Sequence, residues 1–388
     1  MPRRLVYAVT HPVTARTFLR GQLAFMRQWG FDVTLVTSPG PELEVVRARE
    51  GVSVIEVPML RGLGPRDDLV SLARMVAALR VARPDIVNAS TPKAGLLGMM
   101  AARVLRVPVR VYQLRGLRLE TATGNLRRVL GATERIAAVC AQEVICNSES
   151  LRRSAVEGGW IPSRKARVLG AGSSNGVDGA RFEITEDVRR RAREVAARLR
   201  IDVDGPNVGF VGRFSADKGI ELLLDAFRIV RAVRPDARLL MVGGDLGDEQ
   251  APAELLARVQ CEKGVISVGR VDDVAAYYAL MRVLAFPSER EGFPNVPLEA
   301  ACAEVPSVGR RATGVVDAIV DGETGVVLDR PDAASYAAAL EAYLANPERR
   351  RAHGRAGRER ALRDFAPRVV WERFAREYER LLRQRGRR

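Results

Sequence analysis

Pro287-Ser-Glu-Arg-Glu-Gly-Phe-Pro-Asn-Val-Pro-Leu-Glu299 reads as the end of a strand, a tight loop and the start of a helix. The run Val283-Leu-Ala-Phe286 before it is short, apolar and of strand type. Asn295 suits an N-cap, and Pro297 suits a first helical turn, where its missing N–H costs little. Glu291 then sits in the loop and Glu299 about one turn into the helix, whose first amides are free to meet an anion. Two carboxylates around an anion site suit hydroxyl groups held beside a phosphate, the combination a nucleotide sugar presents. The plainer alternative is two helix-start acids favoured by the macrodipole. The surrounding chain has to decide between them.

Working outward, the same strand-then-glycine pattern recurs. Residues 208–211 form an apolar run followed by Gly212-Arg-Phe-Ser-Ala-Asp-Lys-Gly219 and a clean amphipathic helix from Ile220 to Val233. Arg213 and Lys218 flank a turn that feeds a helix start. This is not a Walker loop, because the Gly-x4-Gly-Lys-Ser/Thr spacing is missing. It still suits a diphosphate, with arginine as a fork and lysine as a point charge. Residues 239–242 with Gly243-Gly-Asp245, and 266–268 with Gly269-Arg270-Val271-Asp272, repeat the pattern, and the small residues let a flat ligand approach the backbone. Arg213, Lys218, Glu291 and Glu299 therefore fall at one edge of one predicted parallel sheet, where ligands of such sheets bind. Four unrelated surface residues are not expected to meet there, and the functional reading is preferred.

The first half has the same rhythm. Strand-like runs at 5–9, 33–36, 52–57, 86–87, 109–112 and 144–146 alternate with helical patterns at 18–26, 43–49, 67–81 and 94–105. That is βαβ alternation, and it predicts a doubly wound parallel sheet. The loops after its strands nominate His11 and Thr14, Lys93, and Arg115 with Arg118, a basic rim suited to a phosphate. The helix at 67–81, with Arg74, Arg80 and Arg83 near it, reads as a solvated face or as a face touching anionic membrane. Around 170–178 the chain is glycine-rich and loses periodicity, which predicts a linker. We place one domain at 1–182, a second at 183–366, and a last helix from 367.

Composition sets the outer limits. At 388 residues and 47% hydrophobic, two domains with sizeable cores are expected. No apolar run reaches the length of a membrane span, and the N-terminal run is too short for a signal sequence, so a cytoplasmic protein is expected. Two histidines and four scattered cysteines argue against a metal site and for reduced, buried thiols. The net charge of +15 raises a nucleic-acid reading, but the charge is dispersed and aromatics are only 5%. Only four of the 62 basic residues are lysine, which draws attention to Lys93 and Lys218 beside their turns.

With these motifs in place, the chain resembles the family 4 retaining glycosyltransferases of GT-B fold over nearly its whole length. The resemblance rests on Val211-Gly-Arg-Phe with Lys218-Gly219, and on Asn175-Gly-Val-Asp178 with Arg181-Phe182. It also rests on the pair Glu291/Glu299, and on Thr313-Gly314 with Asp321-Gly322 and Gly325. His11-Pro-Val-Thr14, Thr91-Pro-Lys-Ala-Gly95 and Gly116-Leu-Arg-Leu-Glu120 are similar to the branch that builds capsule, exopolysaccharide and lipopolysaccharide chains.

The resemblance implies two Rossmann-like domains across a cleft, the donor in the second, and a last helix returning to the first. It implies that Arg213 and Lys218 bind the diphosphate, that Glu291 faces the donor sugar, and that Glu299 bonds the ribose. The backbone of Gly212 and Gly243, Arg270 and Val271, and Gly292-Phe293-Pro294-Asn295 would line the donor, with Pro294 contributing no N–H. It implies a UDP-sugar donor, no metal and retained anomeric configuration. The acceptor would be a polyprenyl-diphosphate-linked glycan, which places the enzyme at the inner membrane face, or a small natural product. Many relatives have histidines where this chain has Asn88, Ser90 and Arg115, so either Arg115 takes over from one of them or the choice of donor changes. The rival readings are a nucleotide-sugar epimerase, which needs no acceptor, and a basic nucleic-acid binder, which would show a steep salt dependence.

Overall fold

The computed structural model describes residues 2–60, 64–244 and 252–386. They form two compact units, Met1–Gly176 with Pro367–Arg388, and Val177–Ala366. In the first unit the strands are β1 Arg3–Ala8, β2 Phe31–Thr37, β3 Ser53–Glu56, β4 Ile86–Ser90, β5 Val109–Leu114, β6 Glu143–Cys146 and β7 Ala166–Arg167. They lie in the order β3-β2-β1-β4-β5-β6-β7, with parallel pairing throughout. β4 and β5 are buried along their whole length, as strands covered by helices on both faces must be.

The second unit contains β8 Asn207–Val211, β9 Arg238–Val242, β10 Val265–Gly269, β11 Val283–Phe286, β12 Ser307–Arg310 and β13 Gly325–Leu328. Their order is β10-β9-β8-β11-β12-β13, again parallel. In each sheet the order reverses once, between β1 and β4 and between β8 and β11. A reversal opens a crevice at the carboxyl ends of the two strands, because their following helices cover opposite faces.

Helix Ile220–Val233 shows how the pattern becomes packing. Ile220, Leu223, Leu224, Phe227 and Val230 are buried in one cluster with Val208, Phe210, Leu239 and Met241. Each such side chain contributes about 1.5–3 kcal/mol on burial. The long helix Pro367–Gly386 belongs to the first unit. It sends Val370, Phe374, Tyr378 and Leu381 into a core with Leu5, Tyr7, Leu35 and Val109. Trp29 Nε1 donates to Glu379 at 2.9 Å.

Several expectations change. The helix expected at 18–26 is two, Pro12–Phe18 and Gln22–Gln28. They break at Gly21, whose φ of +76° and approach to the Trp371 ring leave no space for a Cβ. The units divide at Gly176, earlier than 182. There Val177 N–H donates to Phe365 O at 2.8 Å, and Phe182 packs edge-on against Tyr278, so both already belong to the second unit. Helix Gly124–Cys140 has no counterpart in the expected elements. Cys261 is exposed rather than buried, whereas Cys146 and Cys302 are buried and their thiols are pushed up to about 12 by burial. Asp245 lies outside the described residues.

Candidate functional site

The crevice between β8 and β11 is built from two loops that lock together. After β8, Gly212 and Arg213 lead into a turn at Ala216–Lys218, and Gly219 starts the long helix. Gly219 has φ +65°, and a Cβ there would lie 2.4 Å from Pro287 O, so only glycine lets the two loops approach this closely. Glu289 N–H donates to Asp217 O at 2.9 Å, and Glu291 N–H donates to Thr313 O at 3.0 Å. Gly314, φ +78°, closes the other side, where a Cβ would meet the Glu291 backbone at 2.9 Å. The loop of Glu291 is thus clamped between the ends of β8 and β12.

This clamp brings Lys218 Nζ within 2.5 Å of Glu291 Oε1, both side chains being 16% exposed. Asp217 accepts from Ser215 Oγ at 2.7 Å and from Arg290 Nη2 at 3.2 Å. Burial alone would raise its carboxyl, but the Ser215 hydroxyl and the charges of Lys218, Arg290 and Arg213 outweigh burial and hold it below its usual range. Arg213 is exposed and, among the described residues, forms no ion pair. Asp217 and Arg290 were not singled out in the sequence, and the doublet Asp217-Lys218 beside Arg290-Glu291 was the available signal.

Glu299 is half-buried on helix Val296–Cys302 and accepts from Tyr278 Oη at 3.0 Å. Burial pushes its carboxyl above the usual range, against the Tyr278 hydrogen bond and the Arg181 charge. Asn295 does not cap this helix with its side chain. Its backbone is already helical, φ −80° and ψ −29°, rather than extended as at a capping residue, and its carbonyl accepts from Glu299 N–H at 2.8 Å. Phe293 packs on Phe365 with ring centroids 5.0 Å apart, and Pro294 is buried. Tyr278 was not foreseen. It comes from a different helix, Ala275–Tyr278, and nothing in the sequence marks it.

Gly212, Gly243 and Gly269 form a staircase across the neighbouring strand ends. Gly212 N–H donates to Val242 O at 2.9 Å and Gly243 N–H to Gly269 O at 2.8 Å, and Gly243 comes within 3.1 Å of Gly212 O if given a Cβ. Arg270 and Val271 follow β10, two strands away from β8. Arg270 is exposed and Val271 half-buried.

The first unit does not present the expected basic rim. His11 and Thr14 stand after β1, half-buried, with Thr14 N–H donating to His11 O at 3.0 Å. Lys93 is paired with Asp68, which cancels its charge locally. Arg115 turns inward. Its Nη1 donates to Ser174 Oγ at 2.8 Å, its guanidinium lies 5.8 Å from the Phe18 ring centroid, and burial lowers it to about 10. Arg118 alone of the three is exposed. Pairing and burial explain the difference, because a basic side chain in a loop takes the nearest carboxylate or hydroxyl.

Comparisons with known proteins bear on the family and the fold. The family described as glycosyl transferases group 1 matches residues 192–360, and the glycosyl transferase 4-like domain matches 14–172. The chain is 34% identical to the capsular polysaccharide biosynthesis glycosyltransferase CapM of Staphylococcus aureus, covering 94% of each. It is 28% identical to a D-inositol 3-phosphate glycosyltransferase of Acidothermus cellulolyticus, covering 72% of this chain and 66% of that one. Its fold matches that of Anabaena Alr3699/HepE, solved with UDP and glucose, at a TM-score of 0.80 and 18% identity, over 97% of this chain and all of that one. A glycosyltransferase of Rickettsia africae gives a TM-score of 0.80 at 16% identity, over 98% and 99% of the two chains.

Proposed function

We infer the reaction from family and site together: this chain belongs to the group 1 glycosyl transferases, and its second unit binds the nucleotide-sugar donor. The observation that carries the site assignment is the Lys218–Glu291 pair at the reversal between β8 and β11. It sets a cation for a diphosphate directly beside a carboxylate for a sugar. Arg213 and Lys218 take the diphosphate, Glu291 faces the sugar near its reacting carbon, and Glu299 accepts from the ribose hydroxyls. Gly212, Gly243, Arg270 and Val271 line the nucleotide, and the loop Gly292–Asn295 lines the sugar and phosphate.

In the reaction the bond between the anomeric carbon and the diphosphate oxygen breaks, and the acceptor oxygen bonds to that carbon on the same face. The acceptor proton passes to an oxygen of the departing phosphate. Configuration is retained. Arg213 and Lys218 offset the charge that develops on the leaving group, work that fixed cations do without reorganisation, so no step is assigned to a metal. Glu291 stabilises positive charge at the anomeric carbon. Because it starts paired with Lys218, the donor has to enter between them and exchange one contact for two.

The donor is a UDP-sugar and the acceptor a polyprenyl-diphosphate-linked glycan, in preference to a small natural product. The UDP and glucose bound by the Anabaena neighbour support the donor, and the capsular polysaccharide role of the Staphylococcus aureus relative supports a glycan over a small natural product as acceptor. The test is turnover on a UDP-sugar panel with Arg213→Ala, Lys218→Ala and Glu291→Ala. Losses of about 10²–10³ in kcat are expected for each, and near-normal turnover in all three would refute the assignment.

A further inference from the structure

Arg115 directly follows β5, the second strand past the reversal between β1 and β4. Its side chain is held from one side only. Nη1 donates to Ser174 Oγ at 2.8 Å, and Ser174 Oγ donates onward to Asn175 Oδ1 at 2.9 Å. The other two nitrogens, Nε and Nη2, are buried and have no hydrogen-bond partner. Among the described arginines only Arg115 leaves two nitrogens in that condition. The residue as a whole is half-buried, so these nitrogens lie just below the surface.

Which nitrogens are left over decides what they can bind. In a guanidinium the Nε–H and one Nη2–H are parallel, and together they receive both oxygens of a carboxylate. Nη1 lies off that fork, and it is the nitrogen that Ser174 occupies. Buried arginines that serve packing spend their nitrogens on carbonyls. Arg110 donates to Cys140 O and Val107 O, and Arg360 to Ala318 O and Asp317 O. Arg115 makes no such bond through its fork. The titratable groups that act on it are the hydroxyls of Tyr7 and Tyr378, and burial raises both, so both stay neutral and neither is a counter-ion. Burial lowers Arg115 itself only to about 10, so at neutral pH it keeps its charge. An unpaired buried charge is costly, and a water could satisfy an N–H without offsetting it.

The surroundings suit a sugar that carries one negative charge. The Phe18 ring centroid lies 5.8 Å from the guanidinium, and Phe18 is 45% exposed, so apolar surface adjoins the fork. Aromatic surface beside a single fixed polar group is the usual make-up of a small-ligand site. A diphosphate carries more charge than one fork offsets, and Lys93, the other cation after a neighbouring strand, is already paired with Asp68. We propose that Arg115 binds the carboxylate of a uronic-acid residue in the acceptor glycan, one oxygen on Nε and the other on Nη2. This rests on the donor being held by the second unit, which leaves the carboxyl edge of the first sheet for the acceptor. Arg115 then sets specificity, because a neutral hexose in the same place leaves the fork unpaired and is rejected for that reason.

The probes are methyl β-D-glucuronide and methyl β-D-glucoside, which differ only at C6, titrated into the full chain and followed by ligand-observed NMR. The wild type binds the glucuronide at least about tenfold more tightly than the glucoside. Arg115→Gln abolishes that preference, and Arg115→Lys keeps only part of it, because lysine brings a point charge without a fork. UDP binding, measured separately by calorimetry, is unchanged in both variants. Lys218→Ala loses UDP and keeps the sugar preference, so failure of the donor-site assignment is read apart from failure of this one. Equal binding of the two glycosides by the wild type overturns the proposal without need of any variant. A preference that survives in Arg115→Gln overturns it too, and a lowered melting temperature beside that result makes Arg115 a structural residue. Displacement of the glucuronide by inorganic phosphate at a lower concentration than by acetate also overturns it, since the fork then serves a phosphate.

Discussion

Lys218 Nζ and Glu291 Oε1 stand 2.5 Å apart across the reversal of the second sheet, although 73 residues separate them in the chain. The two side chains form an ion pair in which each offsets the other's charge. Removing either leaves a charge with little access to water, at a cost of about 1–3 kcal/mol. The double variant Lys218→Ala/Glu291→Ala is expected to lose less than the sum of the single losses. Urea unfolding of the four proteins measures the coupling, and additive losses would show that the pair is not energetically joined.

Gly314→Ala tests the clamp without touching a charged group. Its φ of +78° and the 2.9 Å approach to the Glu291 backbone mean that a methyl must push the loop away. A cost of about 1–3 kcal/mol in stability is expected. The KM for donor should rise more than that of an alanine placed at the open Gly322, φ +75°, where nothing lies within 4 Å. Equal effects at the two glycines would mean that backbone strain alone is being read.

Tyr278→Phe should alter the pH dependence of donor binding. Burial already raises the Glu299 carboxyl, and the Tyr278 hydroxyl pulls it back down. Without that hydroxyl the carboxyl rises further and protonates at a higher pH, losing its ability to accept two hydrogen bonds from a ribose. The acid limb of the KM profile is expected to move to higher pH. An unmoved limb would remove Glu299 from the ribose site.

Glu134 provides a stability measurement in the first unit. Burial raises its carboxyl to about 7, with the Tyr112 hydroxyl opposing. The folded state therefore keeps a proton that the unfolded chain releases from about pH 4.5, and stability contributed by this site falls as pH rises from there to about 7. Glu134→Gln should remove that fall, gaining at most about 3 kcal/mol above pH 7. Melting temperatures of the two proteins between pH 4.5 and 8 decide it, and parallel curves would contradict the assignment.

Legibility in the sequence followed how local the signal was. Helix Ile220–Val233 could be read from its spacing because one face is buried and the other wet. Helix Gly124–Cys140 could not, since Val129, Ile136 and Val139 face outward and blur the periodicity. Arg213, Lys218, Glu291 and Glu299 could be nominated together because their loops follow strand ends, and parallel topology alone gathers strand ends at one edge. The directions of Lys93 and Arg115 depended on Asp68 and Ser174, distant in the chain, and no local pattern carries that. Tyr278 belongs with them.

The helix Pro367–Gly386 follows the second unit in the chain but fills the core of the first with Val370, Phe374 and Tyr378. On the ribosome, therefore, the half that emerges first is the half that is completed last. The second unit can close around its own residues while β1 and β2 still lack the side chains that cover them. A premature stop near residue 367 would spare the second unit and leave the first with an open apolar face, exposed to chaperones and proteases.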